Sequence, residues 1–394
     1  MKKLCIVTTL WSSVNNWIVP FIDEYHNHNI DITIVCNMDD QYEKDLKERF
    51  PFIHTYAIGF PRGMDVIGTI KGIFELILFF SKEKFDMVQY STPNASFYSA
   101  IASFVTRIPV RLYCQWGMVY VTKKGLVRWI CELIERLTCK CSTQIQPDSY
   151  GNLKFCRDHK FYNEENSNVI WNGSAKGINL EEYNVYRKEE YKKEIKEKYN
   201  LSTEPIIGFV GRLGGEKGCN ELFKAFKVLK SIYPNLVLLF VGPIEKEDTI
   251  ESELLKYFKE NNSIIKTGRV KDVPRYMAAM DVFVLPSYRE GFGMSVVEAS
   301  AMEVPVVATK YPGPSGGMKD GVTGFEVSIG NVDELVEKIS YLLNNPLVAK
   351  QMGSAGRKFA EEKFDYRIFK KMYIENRLEL IKKSEKQRCG GKDE

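Results

Sequence analysis

DVFVLPSYREGFGMSVVEAS, residues 281–300, is the stretch that decides the fold of this chain. Its short apolar run predicts a buried parallel strand, which a turn at Pro286-Ser287 ends. The next segment is a glycine-rich turn that leads into a helix, where free backbone N–H groups and the positive end of the helix dipole favour phosphate. Glu290 and Glu298 flank that turn. Because carboxylates do not bind phosphate, they are expected to bind the hydroxyl-rich rings on either side of a diphosphate.

The same strand-turn-helix alternation runs outward from this stretch in both directions. Apolar runs predict strands at residues 4–9, 32–36, 87–90 and 111–114, with helical patterns at 14–27, 67–82, 96–106 and 125–139. A second series of strands is predicted at 206–210, 236–241, 264–267, 281–285 and 304–308. The expected fold class is therefore α/β, with two Rossmann-like doubly wound domains facing across a cleft.

Turn-forming residues separate the two series. The pattern predicts an N-terminal Rossmann-like domain over residues 1–172 and a linker or hinge over 173–187. A second Rossmann-like domain follows over 188–365, and a C-terminal helix at about 366–384 is expected to rejoin the first domain.

Composition excludes several classes of function. The 394 residues are 44% hydrophobic and 27% charged, as in ordinary globular enzymes, and a net charge of +4 gives no case for nucleic-acid binding. Nine cysteines without a CxxC pair argue against zinc and are consistent with a reducing cytoplasm. The first residues read as a strand and lack the features of a signal peptide.

A second motif opens the second series, GFVGRLGGEKG at residues 208–218. Arg212 and Lys217 lie five residues apart in a glycine-rich turn after a predicted strand, where two cations could bind a diphosphate. Lys217 is followed by Gly218, which excludes a Walker P-loop. The alternative is a solvated turn with surface charges.

Other features have ordinary structural explanations as well. Glu290 could serve the dipole of the following helix, and Glu298 could be a surface residue. The glycine-rich segment 313–317 is either a structural turn or a ligand loop. Gln115-Trp116-Gly117, after the strand at 111–114, is either core or a platform for a sugar ring.

Taken together, these residues resemble the family 4 glycosyltransferases, which are retaining enzymes of the GT-B fold. In that family, GFVGRL…EKG is the donor-diphosphate loop, and the segment 282–299 carries the E-x7-E signature. The resemblance implies that Arg212 and Lys217 bind phosphate, that Glu290 contacts the donor sugar and that Glu298 contacts the ribose. Arg212, Lys217 and Glu290 are the expected catalytic residues. The expected donor contacts are Gly211, Arg212, Lys217, Arg269, Val270, Glu290, Gly291, Phe292, Gly293, Met294, Ser295 and Glu298.

The first domain resembles the capsule, O-antigen and surface-glycan branch of the family. Relatives there often have a YTxHG-like motif, whereas this chain has Trp116 at the histidine position, so the role of that histidine does not transfer. The expected acceptor-side residues are Trp11, Ser12, Ser13, Gln115 and Trp116.

The resemblance also implies the reaction. A sugar, expected to come from a UDP-sugar with a GDP-sugar as the open alternative, is transferred to a saccharide, often lipid-linked, without a cofactor. No Asp-x-Asp motif follows a suitable strand, so no metal is expected. Lys123 to Ile130 mixes basic and aromatic residues, which is typical of a peripheral membrane helix and of a packed amphipathic helix; we favour the packed helix.

Three alternatives remain beside this interpretation. A GT-B sugar-nucleotide epimerase would need proton-transfer groups in the first domain, and Asp148 and Glu132 are candidates. A catalytically silent nucleotide-sugar-binding subunit would explain Trp116 but not the intact set of Arg212, Lys217 and the two glutamates. A Rossmann dehydrogenase is disfavoured because no GxGxxG follows the first strand.

Overall fold

The computed structural model describes residues 1–60, 65–310 and 314–390. Within these ranges the chain forms two compact units. One unit comprises Met1–Lys176 and the C-terminal segment from Ile368, and the other comprises Gly177–Arg367. The chain thus leaves the first unit once and returns to it through its last helix.

The first unit is built on a six-stranded parallel sheet. Its strands are β1 (Lys2–Leu10), β2 (Ile30–Asn37), β3 (His54–Ala57), β4 (Met87–Ser91), β5 (Val110–Gln115) and β6 (Gln144–Pro147). Their spatial order is β3-β2-β1-β4-β5-β6, the doubly wound order with its switch point between β1 and β4. The sheet is buried because helices cover it, and β4 has no exposed residue.

The helices of this unit follow the strands in alternation. They are α1 (Trp11–Trp17), α2 (Ile22–Asn27), α3 (Asp40–Arg49), α4 (Val66–Glu83), α5 (Pro93–Val105), α6 (Gly125–Cys141) and α7 (Tyr150–Asp158), joined by the C-terminal α15 (Tyr366–Gly390). Asp39 and Asp65 cap α3 and α4 with their carboxylates, which satisfies amides that the first turn leaves free.

The second unit repeats the plan. Its strands are β7 (Ile206–Val210), β8 (Val237–Val241), β9 (Ile264–Lys266), β10 (Val282–Leu285), β11 (Val306–Thr309) and β12 (Gly324–Val327), in the order β12-β11-β10-β7-β8-β9. Its helices are α8 (Lys188–Lys198), α9 (Cys219–Ile232), α10 (Ser252–Glu260), α11 (Val273–Ala278), α12 (Met294–Ala301), α13 (Val332–Asn344) and α14 (Pro346–Phe364). β7 and β10 lie side by side at the switch point of this sheet.

Three strands, β3, β6 and β12, were not predicted. Each has only four residues and lies at an edge of its sheet, so the apolar run on which strand prediction depends is short. The single helix predicted over residues 14–27 is also wrong. The chain there forms α1, a 3-10 turn at Val19–Phe21 and then α2, because Pro20 cannot continue a helix from the preceding turn.

A buried polar cluster holds α15 against the first sheet. Arg377 is only 1% exposed, and its guanidinium donates hydrogen bonds to Gln89 of β4 (2.9 Å) and Gln146 of β6 (2.5 Å). The Tyr373 ring stacks on the same guanidinium, and its centroid lies 3.9 Å from the Arg377 Cζ atom. Since a buried charge without hydrogen bonds is costly, these contacts fix α15 in one register on the sheet.

Across the described ranges, the helices fall short of the combination of length and apolar character that crossing a bilayer requires.

Candidate functional site

The predicted donor loops meet at the switch point of the second sheet. β7 and β10 pair in parallel, with Ile207 opposite Val282 and Gly208 opposite Phe283. Their carboxyl ends therefore lie at the same edge, where doubly wound sheets bind ligands. The loop after β7 carries Arg212 and Lys217, and the loop after β10 carries Glu290.

These two loops interlock through their backbones. Gly218 has φ +70°, and a Cβ at this position would lie 1.9 Å from the carbonyl oxygen of Pro286. The Tyr288 amide donates to the carbonyl oxygen of Glu216 at 3.0 Å. The loop after β8 approaches equally closely, because a Cβ on Gly242 would lie 2.0 Å from the Gly211 carbonyl oxygen. Only glycine permits these approaches, so the glycines bring the side chains of three loops together.

Lys217 and Glu290 form the central pair of the site. The Lys217 ammonium donates to both carboxylate oxygens of Glu290, at 2.7 and 2.9 Å. Their side chains are 21% and 12% exposed, respectively. The Ser287 hydroxyl also donates to Glu290, at 2.7 Å, and the Thr309 hydroxyl donates to the Ser287 carbonyl oxygen at 2.6 Å. The carboxylate is therefore oriented from two sides.

Arg212 belongs to a second group of charges beside this pair. It donates to Glu216 at 3.2 Å, and Lys246 donates to the same Glu216 oxygen at 3.0 Å. Glu245 lies 3.9 Å from Arg212 and 3.8 Å from Arg269. Burial acts to raise the pKa of Glu216, but hydrogen bonds from Lys246 and its own backbone amide outweigh burial, so the pKa falls below its ordinary value.

Helix α12 points its amino end into the loop after β10. Gly293 precedes it with φ +80°, and no side chain caps the helix. The amide of Val296 donates to the Gly293 carbonyl oxygen at 2.9 Å, which closes the first turn of the helix. The Phe292 ring is buried against Phe364 of α14, which anchors the loop.

Glu298 lies on α12, half-buried, one helical turn beyond the amino end. Burial first, and then the charge of Glu298 and a hydrogen bond to it, raise the pKa of Tyr183. The backbone of Tyr183 is held in turn by Arg357, whose guanidinium donates at 2.7 Å to the carbonyl oxygens of both Tyr183 and Ala301. Glu298 is thus fixed by a tyrosine from a distant part of the sequence.

Sequence reasoning missed the residues that complete this site. They are Tyr183, Glu216, Glu245, Lys246 and Ser287. Glu216 lies within the predicted loop and Ser287 within the quoted stretch, so their positions were visible although their contacts were not. Glu245 and Lys246 follow β8, and a predicted strand ending at residue 241 was the available signal, because carboxyl ends of neighbouring strands meet. For Tyr183, no motif in the neighbouring sequence indicated a place in the site.

The remaining predicted donor residues lie around these groups. Gly211 ends β7, with its amide bonded to the Val241 carbonyl oxygen at 2.9 Å. Gly291 precedes α12, and Met294 and Ser295 form its first turn, half-buried. Arg269 lies on the loop after β9 with 70% of its side chain exposed, and the neighbouring Val270 packs against the core.

Gln115 differs from its prediction in the first unit. Its side chain is fully buried and donates to Glu135 at 2.5 Å, while Tyr162 donates to its oxygen at 3.0 Å. Burial raises the pKa of Glu135, and the hydrogen bonds from Gln115 and Tyr113 oppose that effect. Gln115 therefore belongs to an internal polar network, and the expectation that it supplies a polar contact to an acceptor is wrong.

Trp116 is half-buried and lies against another indole. Its ring centroid is 5.7 Å from that of Trp17, and the Lys176 ammonium lies 5.5 Å from the Trp17 ring. Trp116 also lines a small cavity with Phe369 and Tyr373. The aromatic surface after β5 thus comes from two tryptophans, of which the sequence indicated one.

Trp11 lines a larger pocket, which lies at the carboxyl ends of β1 and β2. The pocket has a volume of about 450 Å³ and is lined by Trp11, Asn15, Asp39, Gln41, Tyr42, Asp45, Leu46 and Arg49. The Trp11 and Tyr42 rings lie 5.1 Å apart at 33°, and Tyr42 donates to Asn15 at 3.2 Å. Ser12 and Ser13, half-buried on α1, do not line it. Aromatic faces beside carboxylate, amide and guanidinium groups suit a sugar ring.

Some predicted features are not brought together or lie outside the described residues. The first residue of the glycine-rich segment 313–317 lies outside the described residues, and Pro314–Gly317 form a single 3-10 turn. Glu132, a candidate base for an epimerase, is bound on α6 by Arg136 at 2.8 Å, whereas Asp148 lies buried after β6. Over the described ranges, no three His, Cys, Asp or Glu side chains form a cluster suited to a metal.

Comparison with known proteins identifies both halves of the chain. Residues 191–359 match the family described as "Glycosyl transferases group 1", and residues 3–149 match "Glycosyl transferase 4-like". The chain is 32% identical over 349 residues to the capsular polysaccharide biosynthesis glycosyltransferase CapM of Staphylococcus aureus, covering 88% of this chain and 89% of that protein.

Two further similarities are more distant. The chain is 24% identical to the N,N'-diacetylbacillosaminyl-diphospho-undecaprenol alpha-1,3-N-acetylgalactosaminyltransferase of Campylobacter jejuni, over 94% of this chain and 97% of that protein. The crystal structure of Anabaena HepE in complex with UDP-glucose superimposes with a TM-score of 0.75 at 18% identity, covering 95% and 99% of the two chains. The fold is therefore GT-B.

Proposed function

Since this chain belongs to the group 1 glycosyltransferases, family 4, we propose that it transfers a sugar from a UDP-sugar to a lipid-linked saccharide with retention of configuration. The product would be part of a cell-surface polysaccharide. The glycosyltransferase activity follows from the family. The donor, the acceptor and the stereochemistry are the proposal.

The observation that carries the proposal is the contact between Lys217 and Glu290 at the amino end of α12. A nucleotide-sugar joins an anionic diphosphate directly to a neutral, hydroxyl-rich ring. Its recognition requires a cation and a hydrogen-bond acceptor at adjacent positions. Lys217 and Glu290 are 2.7 Å apart beside the first turn of α12, which supplies both in one place.

The chemistry follows from that arrangement. The bond between the anomeric carbon and the diphosphate oxygen breaks as the acceptor hydroxyl oxygen bonds to that carbon from the same face. The acceptor proton passes to the leaving phosphate oxygen, so no protein nucleophile is needed. Lys217, Arg212 and the helix dipole would stabilise the charge that develops on the leaving diphosphate, an effect worth about 2.7–4 kcal/mol for a single preorganised donor group.

The proposed acceptor follows from relatives and from the first unit. The names of the Campylobacter relative and of an Escherichia coli alpha-1,3-galactosyltransferase, 23% identical over 320 residues, specify diphospho-undecaprenol-linked sugars. In the first unit, the pocket beside Trp11 and Tyr42 offers stacking surfaces and hydrogen-bonding groups. We propose that this pocket holds part of the acceptor saccharide.

Three further features belong to the same proposal. UDP is the proposed nucleotide, supported by the HepE complex. The protein's own cations serve the diphosphate, so catalysis requires no divalent metal and no cofactor. The enzyme works in the cytoplasm, at the inner face of the cell membrane where a lipid-linked acceptor would be exposed.

The test is turnover of radiolabelled UDP-sugars with short-chain polyprenyl-diphosphate saccharides. Nucleotide-dependent thermal stabilisation selects the donor first. Transfer that needs both substrates and continues in EDTA is the expected result. Conversion of the donor without an acceptor would indicate an epimerase instead, and nucleotide binding without any transfer would indicate a silent subunit.

The acceptor pocket has its own variant. Trp11→Ala should raise KM for the acceptor roughly two- to tenfold, with little change in KM for the UDP-sugar, because stacking on one aromatic ring is worth roughly 0.5–1.5 kcal/mol. Tyr341→Ala is a matched control, since Tyr341 is 45% exposed and Trp11 40%, but Tyr341 lies on α13 of the other unit. Equal acceptor KM in wild type and Trp11→Ala would exclude this pocket.

A further inference from the structure

The outer surface of the first unit carries an unusual concentration of exposed apolar side chains. Helix α5 packs between α4 and α6 on one face of the first sheet. Twelve large apolar side chains on these three helices are exposed: Val66, Ile67, Ile70, Phe74, Leu78, Phe104, Val105, Leu126, Val127, Trp129, Leu133 and Leu137. We call this surface the α4–α6 face. Apolar groups gathered in this way generally mark an interaction surface.

The exposed residues follow helical spacing. On α4, Ile67, Ile70, Phe74 and Leu78 are 83%, 64%, 61% and 58% exposed. They are separated by three or four residues, so they form one stripe along the helix. The opposite stripe of α4, formed by Gly72, Leu76 and Phe80, is buried. The helix is therefore apolar on both sides, although only one side packs against the protein.

Helix α6 shows the same property. Leu126, Trp129, Leu133 and Leu137 recur at three- and four-residue spacing and are 71%, 61%, 42% and 37% exposed. All residues from Lys123 to Trp129 are exposed. The sequence favoured a packed amphipathic helix here; α6 packs against α5 on one side, and the stretch from Lys123 to Trp129 stays uncovered. Trp129 in particular offers a large amphipathic ring of the type that is enriched at the boundary between lipid and water.

The exposed charges on this face are mainly positive; the exposed acid is Asp65, whose carboxylate caps the first turn of α4 by accepting from the Gly68 amide at 3.0 Å. Four acidic residues occur in α4 and α6, and none of them is exposed. Glu75 accepts from Tyr56, Glu83 pairs with Lys3, Glu132 pairs with Arg136, and Glu135 accepts from Tyr113 and Gln115. The acids on these two helices are thus turned toward internal partners.

The cations, in contrast, point outward. Lys71, Lys82, Lys123, Lys124, Arg128 and Lys140 are all exposed. The described residues provide none of them with an ion pair. An apolar surface rimmed by unpaired cations is complementary to a layer of apolar chains beneath anionic headgroups. It is poorly suited to a second copy of itself, because two such faces would bring like charges together.

We propose that the α4–α6 face is the surface by which this protein docks on an anionic lipid bilayer. The apolar stripes of α4 and α6 enter the interfacial layer, and the six cations bind lipid phosphates. This inference deepens the proposed function, on which it rests for its purpose, because docking brings the first unit to a lipid-linked acceptor. Its physical basis is the surface itself, so it can be tested without any sugar substrate.

The experiment measures co-sedimentation of the whole protein with sucrose-loaded vesicles, containing either phosphatidylglycerol with phosphatidylethanolamine or phosphatidylcholine alone. We expect binding to the phosphatidylglycerol vesicles, and weakening of that binding as salt screens the charges. Lys123→Gln with Lys124→Gln should lower the partition coefficient about 25-fold, since each basic side chain near an anionic surface contributes about fivefold. Leu126→Ser with Trp129→Ser should lower it by more than tenfold on the same vesicles.

A matched control lies on the second unit. Val228 and Ile232 are 47% and 53% exposed on α9, and Val228→Ser with Ile232→Ser should leave vesicle binding unchanged. Every variant replaces exposed residues, and unaltered UDP-dependent thermal stabilisation verifies folding. Equal losses in the control and face variants, or unchanged binding in the face variants, would overturn the proposal.

Two further outcomes distinguish this proposal from its neighbours. If wild type does not bind phosphatidylglycerol vesicles, and light scattering shows a dimer that Leu126→Ser with Trp129→Ser converts to monomer, the face is an interface between copies and the proposal fails. If the docked protein shows no sugar transfer, the proposed function fails while the docking surface stands, because vesicle binding is measured without donor or acceptor.

Discussion

Replacing Lys217 by methionine removes the ammonium group while preserving most of the side-chain length. In the free protein, Glu290 would lose both of its bonds to the ammonium group and keep the Ser287 hydroxyl. With side chains 21% and 12% exposed, the pair lies between a surface ion pair, worth about 0–1 kcal/mol, and a buried one, whose disruption costs about 3–5 kcal/mol. We therefore expect the second unit to lose roughly 1–3 kcal/mol of unfolding free energy.

We expect Lys217→Met to reduce transition-state stabilisation by more than it reduces the unfolding free energy. If Lys217 stabilises the leaving diphosphate, its loss removes about 2.7–4 kcal/mol from the transition state, which is a 100- to 1000-fold fall in kcat. The assay is initial-rate release of UDP in the presence of acceptor. Urea denaturation separates this loss from instability. Ground-state affinity for UDP should fall less than kcat does, because charge on the leaving group develops as the bond breaks.

Lys224→Met is the matched control for this variant. Lys224 lies on α9, within two turns of Lys217, and its ammonium is 2.6 Å from Glu251, but the side chains are 42% and 54% exposed. The Lys224→Met variant should therefore have the kcat of the wild type. A kcat within about threefold of wild type for Lys217→Met, with the fold intact, would refute the assignment of Lys217 to the diphosphate.

The other predictions concern the support of the site. Ser287→Ala should lower kcat about tenfold through loss of one hydrogen bond to a carboxylate. Ser300→Ala removes a buried hydroxyl that has no hydrogen-bond partner among the described residues and should leave kcat unchanged; equal rates for both variants would contradict the role of Ser287. Gly268 has φ +67°, and a Cβ added there would meet no described atom beyond its chain neighbours within 4 Å, so Gly268→Ala should cost only the backbone strain of about 1–2 kcal/mol. A Cβ added at Gly218 would lie 1.9 Å from the Pro286 carbonyl oxygen, so Gly218→Ala should cost clearly more unfolding free energy in urea denaturation; similar costs would disprove the interlocking of the loops. The pKa of Glu216 is lowered from 4.5, so the stability that it contributes is present above that pH and lost as pH falls through the folded value; Glu216→Gln should flatten the acid limb of the stability curve below pH 4.5, and an unchanged slope would count against the charge network.

Much of the donor site could be predicted from sequence because it is local. Each of its two main motifs comes directly after a buried strand in the sequence, and the spacing of the glycines predicts a turn. Arg212, Lys217 and Glu290 were therefore selected as candidates, and parallel pairing of β7 with β10 brings their loops to one edge. The partners of these residues could not be predicted in the same way. Glu245 and Lys246 come from the loop after β8, and Tyr183 reaches Glu298 from more than 100 residues away.

Gln115 shows the opposite case. A polar residue at the end of a strand was expected to face a ligand, but the chain turns its side chain inward, where Glu135 and Tyr162 satisfy both ends of the amide. Alternation along a strand places a residue on one of two faces, and only packing decides which of them is buried. Exposure of Trp129 was missed for a related reason, since an apolar helix stripe looks the same whether a core or a bilayer receives it.

The sequence by itself determined the α/β class, most strands of both sheets and the residues that bear charge in the donor loops. These properties depend on periodicity and turn chemistry, which operate over a few residues. The tertiary structure alone decided which charges meet, that Lys217 contacts Glu290, that Gln115 is internal and that the stripes of α4 and α6 remain uncovered. Such contacts join residues far apart in the chain, and only the packing of the whole sheet fixes their distances.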